Sequence, residues 1–277
     1  MIATKSFCKG VVAVVILAAT LTQAHAEEGG GDLRSAVQNP ISSLISLPFK
    51  FTFDDGAPNG DATFLNIQPV LPVTVGEWNL VNRVILPIID LDGTVSGTPD
   101  IPNPTPGKGT SGLGDINYSL YFSPVKTGKV IWGVGPSIML DTASNDQLGS
   151  GKWSAGPTAV ALAVPKWGSM GVLGRQLWSF AGDDNRRDVN QFLLEPFVNY
   201  NLDNGWFLLT DMVMTANWDA PSSQRWVIPV GGGFGRVFKI GNQAINSRLE
   251  YYYNVEKPDG APKQLVSFTW QFLFPKK

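Results

Sequence analysis

The sequence predicts an all-β fold, a transmembrane antiparallel β-barrel of about 12 strands with a short N-terminal helical segment. Three observations predict it. Nearly every candidate strand alternates apolar and polar residues with period two. No helical pattern is long enough to cover the apolar faces of those strands. Charged residues are only 16% and aromatic residues 11% of the 277 positions, which suits a lipid-facing surface.

The last predicted strand, QLVSFTWQFLFP at 264–275, shows the alternation most clearly. One face is apolar and carries Val266, Phe268, Trp270, Phe272 and Phe274. The other face is polar and carries Ser267, Thr269 and Gln271. In a closed barrel the apolar face contacts lipid and the polar face lines the interior, and the last strand pairs with the first. The alternative is an edge strand of a soluble sandwich.

The first residues are typical of a secretory signal peptide. Lys5 and Lys9 supply the positive region, residues 10–21 the apolar stretch, and Ala24-His25-Ala26 the cleavage site. The sequence therefore divides into a signal peptide (1–26), an N-terminal periplasmic or lumen-facing segment (27–46) and an outer-membrane β-barrel (47–277), with a mature chain that starts at Glu27.

Cleavage removes Cys8 and His25, the chain's single cysteine and histidine. The predicted mature chain then has neither a thiol nor an imidazole, which excludes a Ser-His-Asp triad. It keeps 19 basic and 23 acidic residues, a net charge of about −4. Without a basic field, nucleic acid is not an expected partner. We expect no catalytic residue, no metal site and no cofactor.

The segment before the barrel has two stretches with helical spacing. Asp32 can cap a short helix over 33–38 that ends at Asn39-Pro40. Ile41, Leu44 and Ile45 then form a second apolar stripe. Two interpretations remain open at this point: the segment rests on the barrel rim, or it enters the lumen and narrows it.

Turn and loop signals separate the twelve predicted strands. Their ranges are 47–54, 62–74, 78–90, 113–123, 129–142, 151–165, 169–181, 189–202, 206–217, 225–238, 244–255 and 264–275. Short turns near 76, 126, 166, 204 and 241 alternate with generally longer loops near 57, 100, 147, 184, 220 and 259. Short periplasmic turns and long extracellular loops are typical of outer-membrane barrels. Prolines within the strands predict bulges, because proline cannot donate a ladder hydrogen bond; they are Pro69, Pro87, Pro136, Pro157, Pro196 and Pro229.

The polar strand faces predict a charged lumen. A lysine or arginine facing lipid at mid-membrane would cost about 2–4 kcal/mol, so charged side chains should point inward. The candidate lumen-lining residues are Lys50, Arg83, Asp115, Tyr121, Arg175, Glu195, Phe197, Asp211, Arg248, Glu250 and Tyr252. The charges form either a salt-bridge network that holds the barrel's shape or two oppositely charged walls that orient a polar solute. The three aromatic residues either pack the lumen or bind a ring-containing solute.

Other clusters carry weaker signals. Residues 231–235, GGGFG, lack the following helix and Lys-Ser/Thr pair of a phosphate loop, and favour a bulge. The acidic clusters Asp54-Asp55 with Asp61, and Asp183-Asp184 with Asp188, are assigned to extracellular loops. Most of the nine tryptophans fall near predicted strand ends, where interfacial girdles lie.

Several segments carry a family resemblance. They are LNIQPVLPVTVGEWNLVNRVILPI (65–88), GLGDINYSLYFSP (112–124), LGSGKWSAGPTAVAL (148–162), NYNLDNGWFLLT (199–210), RWVIPVGGGFGRVFKIGNQAIN (225–246) and YYNVEKPDGAPKQLVSFTWQFLFPK at the end. The chain resembles the outer-membrane transporter-like family of the meta-pathway of phenol degradation (MetA-pathway) over essentially its whole mature length. The resemblance implies a bacterial outer-membrane β-barrel that passes small molecules.

Three functions follow as hypotheses. The first is an outer-membrane channel of a Gram-negative bacterium with a narrow lumen for small molecules, hydrophobic or aromatic compounds among them. The second is a structural or adhesive barrel without transport, and the third is a membrane-embedded enzyme, which the loss of the histidine disfavours. The expected partners are outer-membrane lipid, lipopolysaccharide and a small-molecule solute.

Overall fold

Fifteen strand segments follow one short α-helix in the computed structural model, which describes residues 30–275. The helix, α1, spans Gly30–Val37, and a 3₁₀ turn spans Ser222–Gln224. The strands are β1 (Ile45–Ala57), β2 (Gly60–Ile67), β3 (Val70–Val75), β4 (Trp78–Gly93), β5 (Thr110–Leu113), β6 (Ile116–Pro124), β7 (Ile131–Leu140), β8 (Lys152–Ala163), β9 (Gly168–Gly182), β10 (Asn190–Asn201), β11 (Trp206–Asp211), β12 (Met214–Asn217), β13 (Trp226–Ile240), β14 (Gln243–Glu256) and β15 (Gln264–Phe274). The predicted signal peptide and its cleavage site lie outside the described residues.

The fifteen segments close into one antiparallel barrel with twelve strand positions around its wall, here called staves. Three staves are each built from two segments in line: β2 with β3, β5 with β6, and β11 with β12. The first strand pairs with the last, with Phe49 opposite Trp270, and the β9–β10 pairing completes the circle. The predicted fold class is confirmed, including the pairing of the two terminal strands.

Each of the six predicted strand prolines lies where pairing to a neighbour is interrupted. Pro69 separates β2 from β3, and Pro196 lies opposite the break between β11 and β12. Pro229 lies at a bulge against β14. The ladder is likewise interrupted beside Pro87, Pro136 and Pro157. The cause is the missing N–H group, so the barrel wall bends at positions that the sequence marks.

Side-chain exposure follows the predicted alternation. In β14, Tyr251 and Tyr253 are 48% and 49% exposed on the outside, whereas Glu250 and Tyr252 between them are buried. In β15, Ser267 and Thr269 are buried inside and Val266 and Phe274 are exposed outside. An apolar exterior around a polar interior is the arrangement that lipid requires.

The connections define two ends of the barrel, here called the turn end and the loop end. The turn end holds the short β3–β4, β6–β7, β8–β9, β10–β11 and β13–β14 connections. The loop end holds residues 94–109, 141–151, 183–189, 218–225 and 257–263. The β1–β2 connection belongs to the loop end but is only a two-residue turn at 58–59, because both strands run further than predicted. Asp55 and Asp61 consequently lie within β1 and β2, and Asp54 is buried, so the assignment of this acidic cluster to an extracellular loop is wrong.

Tryptophans mark both ends of the barrel. Four lie at the turn end (Trp78, Trp132, Trp167 and Trp206) and four at the loop end (Trp153, Trp178, Trp218 and Trp226). Trp78 contacts Trp132 edge-to-face at 6.1 Å, and Trp167 stacks on Tyr200 at 6.2 Å. Such aromatic belts suit the two interfaces of a bilayer. Within residues 30–275, no helix has the length and apolarity needed to cross a bilayer.

Candidate lumen site

A cavity of about 120 Å³ lies inside the barrel, in the half nearer the turn end. Six of the eleven sequence-predicted residues line it: Lys50, Arg83, Glu195, Phe197, Asp211 and Arg248. They come from four separate staves and from the β11 end of a fifth, so residues distant in sequence meet in the lumen. Arg83 donates to Gln68 Oε1 at 3.4 Å, which holds its guanidinium beside the β2–β3 break.

An ion-pair network forms one side of this cavity. Arg248 Nη1 lies 3.5 Å from Asp211 Oδ2, and Arg248 Nε lies 3.3 Å from Glu250 Oε1. The second contact is an ion pair by distance only, because its angles do not make a hydrogen bond. The Tyr252 hydroxyl donates to Glu250 Oε2 at 2.9 Å and accepts from the Asp211 backbone N–H at 2.7 Å. These contacts compensate charges that would be costly to bury alone.

The opposite side of the lumen carries an apolar cluster beside the charged residues Arg83 and Glu195. Within the run of strands from β4 to β10, strands β4, β6, β8, β9 and β10 turn buried apolar side chains inward. The strand members of this cluster are Val81, Tyr121, Val160, Leu162, Leu173, Leu193 and Phe197. We call this set the apolar arc, and we call the facing surface of β14, β15 and β1, which includes Arg248, Thr269 and Lys50, the polar arc.

The N-terminal segment enters the barrel from the turn end. Ile41 is 2% exposed and packs among the apolar arc, and Gly133 leaves room for it: a Cβ there would lie 3.0 Å from Ile41 Cδ1. Arg34 Nη1 donates to the carbonyls of Leu202 (2.6 Å) and Trp206 (3.1 Å) beside the β10–β11 turn. Ile41 therefore contacts side chains that face the lumen, while Arg34 contacts the turn end.

The loop at 94–109 enters the barrel from the loop end. Thr98 and Ile101 pair across a tight turn whose tip is Pro99-Asp100. Asn66 Nδ2 donates to Asp100 Oδ2 at 3.2 Å, and Gln191 Nε2 donates to the Pro99 carbonyl at 3.4 Å. Ile101 is fully buried in a second apolar cluster with Phe64 and Ile89. Burial raises the pKa of the Asp100 carboxyl, and the Asn66 hydrogen bond opposes that rise.

Asp115 lies inside the barrel but away from the cavity. Its carboxylate accepts the backbone N–H groups of Thr142 (3.1 Å), Ala143 (3.2 Å) and Ser150 (2.7 Å), and the Ser150 hydroxyl (2.9 Å). The residue is 1% exposed. It therefore holds the 141–151 loop in place, a role that strand alternation cannot distinguish from lining a channel.

The remaining predicted residues lie around the cavity. The Tyr121 hydroxyl is 3.1 Å from Thr158 Oγ1 within the apolar arc. Arg175 Nη2 donates to Gln191 Oε1 at 3.4 Å and lies toward the loop end. Sequence reasoning missed the cavity residues Pro48, Gln68 and Val70, the segment residues Val37, Gln38 and Pro40, and the loop residue Asp100. Strand alternation could have indicated the first three, whereas no local pattern indicates that an irregular segment enters a lumen.

The fold is similar to that of solved outer-membrane barrels. An outer membrane channel from Pseudomonas putida F1 superposes with a TM-score of 0.59 at 15% identity, over 85% of this chain and 97% of the other. Two further barrels score below 0.5, which establishes no shared fold. They are the CymD monoaromatic hydrocarbon channel (0.45, 10% identity, 84% and 88% coverage) and the Pseudomonas putida toluene transporter TodX (0.43, 10%, 91% and 93%).

Neither a protein-family model nor a curated protein matches the sequence. In the described part of the chain, no group of three or more His, Cys, Asp or Glu side chains is arranged to hold a metal ion.

Proposed function

We propose that this chain is an outer-membrane channel of a Gram-negative bacterium that passes small hydrophobic or aromatic compounds through a narrow lumen. The observation that carries the proposal is the apolar arc. Inside a barrel whose exterior already contacts lipid, seven apolar side chains from five staves face the lumen. A passage for water and ions alone has a polar interior, so an apolar wall favours solutes with apolar surface.

In this proposal the two sides of the lumen contact different parts of a solute. Phe197, the member of the apolar arc that lines the cavity, would contact its apolar body, and Lys50, Asp211 and Arg248 would contact its polar group. The three basic and three acidic side chains around the cavity would leave little preference between cations and anions; they are Lys50, Arg83, Arg248, Glu195, Asp211 and Glu250. Asp115 would act only by positioning its loop.

Location and processing belong to the same proposal. Residues 1–26 would direct export and be cleaved, residues 27–46 would form the lumen segment, and the barrel would lie among outer-membrane lipid and lipopolysaccharide. The fold likeness to an outer membrane channel supports this placement. Membership of the meta-pathway transporter-like family is proposed on the segment resemblance. N-terminal sequencing of the folded protein tests the cleavage, with Glu27 expected as the first residue.

The functional test is uptake of radiolabelled toluene by Gram-negative cells that express the chain. Wild type should raise the initial rate above that of barrel-free cells. Leu173→Asn places an amide in the apolar arc and should lower the rate, whereas Val172→Asn, on the outside of the same strand, should not. Folded protein is quantified in each strain by its faster migration in unheated detergent gels. Toluene uptake equal to that of barrel-free cells would leave a structural or adhesive barrel as the function.

A further inference from the structure

A second and larger cavity, of about 610 Å³, lies at the loop end, outside the lumen site. We call it the vestibule. Its walls come from residues 94–106, 187–188, 217–227 and 258–260, which belong to four different connections and the strand ends beside them. A volume of this size is within the range of about 300–1,000 Å³ that small-molecule sites occupy.

The walls of the vestibule are cross-linked by hydrogen bonds. Asn103 Nδ2 donates to the Asp188 carbonyl at 2.7 Å, and Asn217 Nδ2 donates to Asn103 Oδ1 at 3.2 Å. The Ser96 N–H donates to the Gly260 carbonyl at 3.0 Å, and the Asp259 N–H donates to Gln224 Oε1 at 2.8 Å. Four loops fastened in this way present a preformed surface, which reduces the entropy cost of binding.

Close approach and proline add to that rigidity. Gly97 adopts φ +74°, and a Cβ there would lie 2.8 Å from Val227 Cγ2, so only glycine fits this contact without displacement. Five prolines line the cavity: Pro102, Pro104, Pro106, Pro221 and Pro258. Their rings fix the backbone and, with Val227, supply apolar surface for a ligand body.

Two arginines face this apolar cavity without carboxylate partners. Among residues 30–275, neither Arg187 nor Arg225 forms an ion pair with an acidic side chain. Arg225 lies over Trp218, 5.6 Å from the ring centroid, and donates to the Ala220 carbonyl at 3.3 Å, while its buried Nε has no hydrogen-bond partner. Arg187 is exposed at the rim.

The two acidic side chains of the vestibule have other partners. Asp188 Oδ1 lies 3.2 Å from Lys152 Nζ and accepts the Ser179 hydroxyl at 3.1 Å, and these contacts lower its pKa. Asp219 Oδ1 accepts from Asn190 Nδ2 at 3.0 Å. Both carboxylates are thus held toward the strands, and the guanidinium groups remain as the unpaired charges of the cavity.

We propose that the vestibule is a capture site for small molecules that carry one anionic group on an apolar body, the class to which aromatic carboxylates belong. Arg187 and Arg225 bind the anionic group near the rim, and the prolines and Val227 contact the apolar body. Guanidinium groups bind carboxylates through charge-assisted hydrogen bonds. The proposal deepens the proposed function by naming a substrate class, and it concerns binding only.

The test is calorimetric titration of the refolded full chain, free of lipopolysaccharide, in detergent micelles. The probes are benzoate, its neutral analogue benzyl alcohol, and inorganic phosphate. Benzoate should bind saturably and about tenfold more tightly than benzyl alcohol, because only the carboxylate pairs with the arginines. Phosphate should not displace it, because phosphate lacks an apolar body.

Matched variants locate the site. Arg225→Gln and Arg187→Gln should each weaken benzoate binding about fivefold or more and bring it closer to that of benzyl alcohol. Arg236→Gln is the control: Arg236 also lies over a tryptophan, Trp206, at 5.2 Å, but at the turn end, and its loss should leave benzoate binding unchanged.

Three results would overturn the proposal. They are equal binding of benzoate and benzyl alcohol, unchanged binding in Arg225→Gln with native gel migration, and displacement of benzoate by equimolar phosphate. The last result would indicate a bare-anion site suited to lipopolysaccharide phosphates. Titration requires no transport, so loss of toluene uptake and loss of benzoate binding are separate outcomes.

Discussion

Replacing Ile41 by alanine should open the lumen from the turn end. The Ile41 side chain is 2% exposed and contacts the apolar arc, so it anchors the N-terminal segment within the barrel. Truncation of a buried isoleucine to alanine costs about 2–5 kcal/mol, the sum of lost transfer energy and the cavity left behind. The Ile41 side chain belongs to the N-terminal segment, whereas the cavity that truncation leaves lies in the barrel. The cost therefore destabilises the state in which the segment is packed inside the barrel.

The corresponding change in the fraction of molecules whose N-terminal segment has left the lumen is large. At about 1.4 kcal/mol per factor of ten, the unseated fraction should rise between about 30-fold and several thousandfold. Arg34 and Gln38 still hold the helix end to the β10–β11 turn through Leu202, Trp206 and Asn201, so the release should involve residues 39–44 first. The assay is single-channel recording in planar bilayers, in which openings should become longer and more frequent than in wild type.

Leu177→Ala is the matched control for this experiment. Leu177 is 0% exposed and packs with Met139 and Val189, in a cluster that contains no residue of the N-terminal segment or of the 94–109 loop, so its truncation removes the same number of carbon atoms without loosening either. It should reduce the thermal stability of the barrel but leave conductance unchanged. Equal conductance of wild type and Ile41→Ala, or an equal rise in both variants, would refute the anchoring role of Ile41.

Three further predictions concern the wall, the charges and the loop anchor. Phe272→Asp places a charge on the lipid face of β15 and should lower the folded yield in gel-migration assays more than Gln271→Asp, which faces the cavity; the reverse order would mean that the strand faces are inverted. In the Ile41→Ala background, Arg83→Glu should make the channel more cation-selective and Glu195→Lys should make it more anion-selective, as measured by the reversal potential. Unchanged reversal potentials in both variants would exclude these residues from the ion path. Asp115→Ala leaves three backbone N–H groups without an acceptor, one buried and two partly buried, and should cost several kcal/mol at about 1–3 kcal/mol per buried group, with faster proteolysis in 141–151. Asp115→Asn should cost less, and equal proteolysis of Asp115→Ala and wild type would contradict the anchoring role.

The wall of the barrel was predictable because each strand residue has only two possible environments. Alternation in β14 and β15 determines which side chains face lipid, and a closed barrel forces the choice for all strands together. The interruptions were predictable for a similar reason, since proline lacks the donor that a ladder requires. Strand limits were less accurate: β1 and β2 extend into the predicted loop, which places Asp55 and Asp61 within strands.

The contents of the lumen were not predictable to the same degree. Alternation places Asp115 and Asp211 on the same kind of face, but only tertiary contacts show that the first anchors a loop and the second borders the cavity. Asp100 and Ile41 lie in irregular segments with no periodicity to read. Their positions follow from long-range packing, for which a single sequence gives no local signal.

The number of staves explains why both segments lie inside. Side chains alone fill a barrel of about eight strands, and about sixteen strands leave an aqueous channel. Twelve staves leave more room than inward side chains can occupy, and empty apolar space is unfavourable because its lining loses van der Waals contacts. Residues 33–44 and the Pro99-Asp100 tip fill that room from opposite ends, leaving a cavity of about 120 Å³ in the turn-end half of the barrel. In the proposed channel, a solute would have to displace the Ile41 anchor, the Asp100 tip or both, so the packing of those two segments would set the rate of passage.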